Sequence, residues 1–389
     1  MIGHKCFMRL LRRNVNAAQF IRYFWRDRNA TDGSTTAVSL HSHTLHSREG
    51  LDFIPRVLGK VRPAQVLLRI LENRYRRRWG KDVPYDRLYW RPPLHPRAAH
   101  ELEAGQIEKV LQLKPLVSIT DHDNIEACSE LRALNIDVPF SHEWTVPYEN
   151  TVFHLGIHNL PADDARFLFN QMRAITANPA PQRLASMLQS LHAIPGVLVV
   201  LNHPLINEMR TGFRAHVRLL QRFLREFVRY MHALELNGLQ PDSHNRRVAR
   251  MAAELQLPVI SGGDRHCVEP NANVNLTSAA TFAEFVEEIR RERVSRVLFM
   301  PQYREATSCR YVEFISQAVR YYPEFAGRER WLDRVFRPTE EGDEPVSVEW
   351  PHGGPWMIRS AVSTIGFLAS PHLRGTLRLA LGAQTEAGA

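Results

Sequence analysis

Two pairs of metal-ligand residue types occupy alternate positions in this chain, His41-Ser42-His43 and Asp264-Arg265-His266. On an extended backbone, residues two apart share a face, so each pair can present both side chains to one ion. Between the pairs come Thr120-Asp121-His122-Asp123, Glu143, His154 and His203-Pro204. Imidazole suits Zn, Fe and Mn, and carboxylates can bridge two ions. Paired ions lower the pKa of water and clamp phosphoryl oxygens during in-line attack. Hydrolysis by activated water then needs no Ser or Cys nucleophile. A single His on an apolar strand is ordinarily a packed residue, but the ordered set of eight is not explained that way.

The segments that carry these residues read as buried strands. They are 37–43, 115–123, 138–144, 151–158, 196–204, 233–238 and 257–264, each short, apolar and bounded by Pro, Gly or polar residues. Six of the seven end on or carry a residue of the set, and the remaining one carries Glu235. Stretches such as 99–113, 213–231 and 245–255 have helical spacing. Strand alternating with helix predicts an α/β fold with a mainly parallel sheet. In such folds the carboxyl ends of the strands converge on one face and build the site there.

These pieces resemble the polymerase-and-histidinol-phosphatase (PHP) family of metal-dependent phosphoesterases. The family pattern runs HxHT-x-x-SDG, ITDHDT, a Glu after a third strand, a strand-borne His, HP and SDAH. Here the stretches read HSHTLHSREG, ITDHDN, PFSHEW, VFHLGI, LNHP and GGDRH, over about residues 37–270. The resemblance implies a distorted seven-stranded β/α barrel holding two or three divalent ions (Mn, Fe or Zn). It implies that His41, His43, His122, Glu143, His154, His203, Asp264 and His266 are ligands. The chain departs from the pattern at SDG, where it reads Ser47-Arg48-Glu49-Gly50. Glu49 is the candidate for the missing aspartate, with His46 as the alternative.

Arg48 and Arg265 are candidates for gripping a substrate phosphate, because guanidinium offers two parallel donors. Arg246 and Arg247 are further candidates, or a solvated helix start. His158 is the candidate proton donor to a leaving group, with His142 as the alternative. The expected domain layout is a basic extension at 1–36, a hydrolase domain at 37–301 and a helical tail at 302–389. An insertion at about 56–97 contains Arg-Tyr-Arg-Arg-Arg-Trp, a mixture that either tracks single strands or snorkels from a surface helix.

With 44% hydrophobic residues the 389-residue chain can build a core, and global disorder is excluded. A net charge of +9 favours anionic partners: a phosphorylated small molecule or short oligonucleotide as substrate, with nucleic acid as a candidate partner. Cys6, Cys128, Cys267 and Cys309 form no CxxC pair, so a reducing, cytoplasmic location is expected. The basic start has no long apolar core, and no stretch reaches the roughly 18 apolar residues of a membrane span. Neither a P-loop nor a dinucleotide GxGxxG is present. Two alternatives stand beside phosphoester hydrolysis: hydrolysis of a non-phosphate bond such as an amide, and a metal-binding module without catalysis.

Overall fold

The computed structural model describes residues 21–27, 29–51, 62–80, 87–209, 211–354 and 356–368. These form two compact units. The first comprises residues 21–43, 96–265 and 269–303, and the second 44–95, 266–268 and 304–368, each within the described ranges.

The first unit is a mixed α/β structure. Its strands are β1 (Ile21–Tyr23), β2 (Thr36–Ser39), β3 (Lys114–Val117), β4 (Phe140–Tyr148) and β5 (Thr151–Leu160). They continue with β6 (Leu198–Leu201), β7 (Ala233–Asn237), β8 (Val259–Gly262), β9 (Asn273–Thr277) and β10 (Arg296–Phe299). Hydrogen-bonded ladders order them as two five-stranded sheets, β1-β10-β9-β2-β3 and β8-β7-β6-β5-β4. All seven segments expected as strands are present. Strands β6 and β7 are buried at every residue, as strands covered on both faces must be.

The expectation of a mainly parallel sheet needs correction. β5 runs antiparallel to both β4 and β6. Only Glu149 and Asn150 separate β4 from β5, and Glu149 takes the left-handed conformation with φ 51°. A two-residue connection can join only antiparallel neighbours. Residues 21–23 also differ from the helical extension expected there, since they pair in parallel with β10. The rest of that extension, residues 1–20, lies outside the described residues. Outside the ladders, single parallel bridges link Ser42 to Arg265 and His122 to Glu143.

Helices cover the sheets with amphipathic faces. The clearest is Phe213–Phe227, which buries Val217, Leu220, Phe223, Leu224 and Phe227 at spacings of three and four. Its Arg214, Arg218, Arg222 and Arg225 face solvent.

In the second unit, helix Arg62–Trp79 occupies the middle of the expected insertion, and residues 56–61 and 81–86 of that region lie outside the described residues. The tail is not helical throughout. Val335–Thr339 and Gly342–Pro345 form a hairpin within it. Leu51, Trp90, Cys267, Ala318 and Val335 share a small core of this unit.

Close approach of two strands decides one glycine. A Cβ on Gly262 would lie 2.1 Å from Cδ of Glu235 on the neighbouring strand. Gly262→Ala is therefore expected to lower stability by about 1–3 kcal/mol, the usual cost of overpacking a filled interior. Urea unfolding checks this, and a variant as stable as the parent would show that Glu235 can move aside.

Candidate metal centre

Strand ends of the first unit deliver the site. Glu143, on β4, is completely buried, and its two carboxylate oxygens divide a ring of imidazoles. Oε2 lies 3.0 Å from Nε2 of His41, 3.2 Å from Nε2 of His122 and 3.5 Å from Nε2 of His43. Oε1 lies 3.1 Å from Nε2 of His203 and 3.5 Å from Nδ1 of His154. Oδ1 of Asp264 stands 3.7 Å from Nε2 of His41 and 3.6 Å from Nε2 of His43. Seven of the predicted ligands, His41, His43, His122, Glu143, His154, His203 and Asp264, are thus brought together.

Their convergence has a different local cause from simple strand alternation. β2 ends at Ser39, and His41 then turns left-handed with φ 63°. His203 at φ 25° and Asp264 at φ 54° do the same just past β6 and β8. Non-glycine residues in this region are uncommon and tend to cluster where function holds them.

Supporting residues fix the ring. Glu235 on β7 places Oε2 2.6 Å from Nδ1 of His41. The amide of Asn237 donates to Oε1 of Glu235 and to Oδ2 of Asp264, both at 2.9 Å. Asn202 donates to Oε1 of Glu143 at 2.9 Å. Such outer partners set the orientation and basicity of ligands. Sequence reading missed Asn202, Asn237 and the ligand-orienting role of Glu235. The one signal available was a glutamate inside the wholly apolar-facing strand Ala-Leu-Glu-Leu. It also missed Glu208, which shares a ligand-sized cluster with His154 and His203.

Charge in the ring is unevenly held. Burial would raise the Glu143 carboxyl, but His41, His122 and His154 hold it well below the usual carboxylate range. Burial would lower His41, yet Glu143 and Glu235 keep it well above the ordinary imidazole value. Burial likewise opposes protonation of His203, and Glu143 carries it up to about 9. Burial wins at His154, which falls to about 4.

The donor chemistry fits divalent cations. Three groupings of three residues, His41/His43/Glu143, His122/Glu143/His154 and His41/His203/Asp264, bring one ligand atom each to within 4.8 Å of the others. Nδ1 of His154 is buried and has no hydrogen-bond partner among the described residues. Each imidazole in its neutral form offers one nitrogen lone pair, and nitrogen-oxygen sets of this kind suit Mn, Fe and Zn.

The other predicted residues have their own surroundings. Glu49 and His266 lie in the second unit, where Nε2 of His266 is 3.2 Å from Oε2 of Glu49. Ser47 donates to Oε1 of Glu49 at 2.5 Å. The amide of His46, also in the second unit, donates to Oγ1 of Thr44 at 3.3 Å. Arg48 pairs with Asp343 at 2.6 Å and lies over the ring of Tyr89. Arg265 is buried and pairs with the wholly buried Glu103 at 2.8 Å. Nδ1 of His158 is 2.9 Å from Oγ of Ser118, and burial lowers this imidazole to about 3. His142 is equally buried, packs edge-on against Phe169 and also falls to about 3. Arg246 pairs with Asp242 at 2.6 Å.

No protein-family model and no curated protein matches the chain. Among solved structures it is similar to a candidate metal-dependent phosphoesterase from Bifidobacterium adolescentis. That likeness has 17% identity and a TM-score of 0.32, over 51% of this chain and 92% of that one. It is also similar to an amidohydrolase from Chromobacterium violaceum with bound sulfate and no metal. There the identity is 16% and the TM-score 0.31, over 45% of this chain and 83% of that one. Likenesses of this order bear on neither substrate nor mechanism.

Because His41 and His203 hold protons well above the usual imidazole range, a cation that takes their lone pairs must displace those protons. Binding of Mn²⁺ or Zn²⁺ at pH 8 is expected to release protons, and apparent affinity is expected to climb as pH rises toward 9. Calorimetry in buffers of different ionisation enthalpy measures the release directly. A heat independent of buffer would place the ion elsewhere.

Proposed function

We propose that this chain is a metal-dependent hydrolase that cleaves a phosphoester of a small phosphorylated molecule or short oligonucleotide. The observation that carries the reading is the ring of five imidazoles around the buried Glu143 carboxylate, with Asp264 beside it. Two or three ions (Mn, Fe or Zn) are proposed for it, with Glu49 and His266 as proposed further ligands. Bound there, divalent ions supply Lewis acidity toward phosphoryl oxygens and water ionised near neutral pH.

The chain's own groups do the rest. Glu143 offers one oxygen to the His41, His43 and His122 side and the other to the His154 and His203 side, so it would help to hold a cation on either side. Glu235 takes the Nδ1 proton of His41 and leaves Nε2 aimed at the centre. Asn202 and Asn237 lock the two carboxylates so that neither swings when charge changes. A phosphoester is favoured over a neutral amide because the chain carries +9 overall.

We also propose that the seven strands β2 to β8 close as a distorted barrel. The bridge His122–Glu143 joins β3 to β4, and the Gly263 amide donates to the Leu40 carbonyl at 3.0 Å between β8 and β2. Those two seams supplement the ladders of the sheets.

Purified protein is expected to carry metal by elemental analysis and to hydrolyse bis(p-nitrophenyl) phosphate. Glu143→Gln is expected to lose at least ~100-fold in activity, and Glu235→Gln ~10–100-fold in metal affinity or activity, the range for outer-shell partners. p-Nitroacetanilide is assayed in parallel. Turnover of the amide alone would transfer the site to amide chemistry. Protein that stays metal-free and inert after Mn²⁺, Fe²⁺ or Zn²⁺ is added would end the hydrolase reading.

A further inference from the structure

A cavity of about 530 Å³ opens on the first unit away from the strand ends that carry the metal centre. Its walls come from the segments that lead into strands rather than out of them. His192, Ala193 and Pro195 precede β6, Met231 and His232 precede β7, Leu255 and Leu257 precede β8, and Arg291 and Arg293 precede β10. β6, β7 and β8 run parallel to one another. β10 runs antiparallel to β9, as does β2, so β10 and β2 share a direction. The parallel bridge Ser42–Arg265 ties that direction to β8. The cavity therefore sits at the amino ends of strands that include β6 and β8, whose carboxyl ends present His203 and Asp264.

Its lining divides by chemistry. Val228, Met231, Leu255, Leu257 and Ile289 provide apolar surface. Arg229, Arg290, Arg291 and Arg293 provide four guanidinium groups against a single carboxylate, Glu287. Glu287 is engaged by Nε of Arg291 at 2.6 Å. Among the described residues, Arg229, Arg290 and Arg293 make no ion pair. Arg290 donates to the carbonyls of His192, Ile194 and Val197, each at 2.6 Å, so it builds the wall while keeping its full charge. Arg293 donates to the carbonyl of Gln256 at 2.9 Å, and Arg229 lies over the ring of Tyr230.

Two histidines complete the wall without adding charge. The amide of Val199 donates to Nδ1 of His232 at 2.9 Å, so the proton of that ring sits on Nε2. Nε2 then donates to Nδ1 of His192 at 2.9 Å, with the rings stacked 4.8 Å apart. Burial, with Arg290 nearby, lowers His232 to about 3. The positive charge of the cavity is thus carried by arginine and persists across the physiological range.

We infer that this cavity is a second ligand site, separate from the metal centre, for an organic monophosphate whose apolar body rests on Val228, Met231, Leu255 and Leu257 while its phosphate meets the arginines. Guanidinium is the group suited to gripping phosphate with paired donors. The volume lies within the ~300–1,000 Å³ of small-molecule sites. An apolar floor beside uncompensated cations selects against both inorganic phosphate and neutral hydrocarbons. The inference does not depend on the reaction proposed for the metal centre.

The test uses the full chain and 1-naphthylmethylphosphonate, whose C–P bond resists hydrolysis. Calorimetry would compare it with inorganic phosphate and with neutral 1-naphthylmethanol. Saturable binding of the phosphonate is expected, at least about tenfold tighter than either control. Arg229→Ala/Arg293→Ala, and separately Arg291→Ala, are expected to weaken it about tenfold or more, as removal of a charge-assisted hydrogen bond does. All three arginines are exposed, and an unchanged melting temperature verifies folding. His41→Ala is expected to bind the probe as the parent does. Loss of binding in His41→Ala with retention in both arginine variants would assign the probe to the metal centre and overturn the inference. So would equal binding of 1-naphthylmethanol, or no saturation at millimolar phosphonate.

Discussion

Placing an ionised carboxylate where no water reaches it costs several kcal/mol unless partners compensate. Glu143 is in that position, with every side-chain atom enclosed. Its compensation comes from imidazoles contributed by β2, β3, β5 and β6, each arriving at or just beyond a strand. The arrangement of those strands is therefore tied to one charge. Were any of them shifted in register by a single residue, the side chain facing Glu143 would change, because strand side chains alternate faces. The neutral imidazoles of the ring offer nitrogen lone pairs, which makes the same constraint a candidate site for cations.

Backbone conformation serves that constraint at several points. His41, His203 and Asp264 leave the extended region at the carboxyl ends of β2, β6 and β8 and turn left-handed. Glycine at 262 makes the room that Glu235 needs to reach His41. Gly156 plays the same part on β5, where a Cβ would lie 2.8 Å from both Asn202 and His158. Strained ends and missing side chains appear where carboxylates and imidazoles crowd together, and the apolar core of β6 and β7 holds them in place.

Arginine is deployed in two ways in the first unit. Arg265 is enclosed with a carboxylate partner, Glu103, which also accepts from Ser39 and Asn271. There the guanidinium braces the chain between Asp264 and His266. At the amino ends of the strands, Arg229, Arg290 and Arg293 bind carbonyls or an aromatic face instead of carboxylates. A guanidinium satisfied by carbonyls retains its charge, so the positive potential of that face is not cancelled locally. The +9 of the chain is in this respect a property of particular surfaces.

The sequence by itself determined the seven strands and the residues that meet around Glu143. Both are written in local pattern: short β-branched runs, stops at Pro and Gly, and His, Asp or Glu at the run ends. Strand direction around β5 was equally local, in the two residues between Tyr148 and Thr151, but parallel alternation was the stronger expectation. What only the tertiary structure decided is everything that depends on pairing across the chain. Glu235, Asn202 and Asn237 are ordinary strand residues until neighbouring strands bring them to His41, Glu143 and Asp264. Arg48 and Arg265 look alike as free cations in sequence, yet Asp343 and Glu103, far away in the chain, claim them. The cavity of arginines is likewise drawn from segments a hundred residues apart. Local pattern fixes which way a side chain can point, and only folding fixes what stands opposite it.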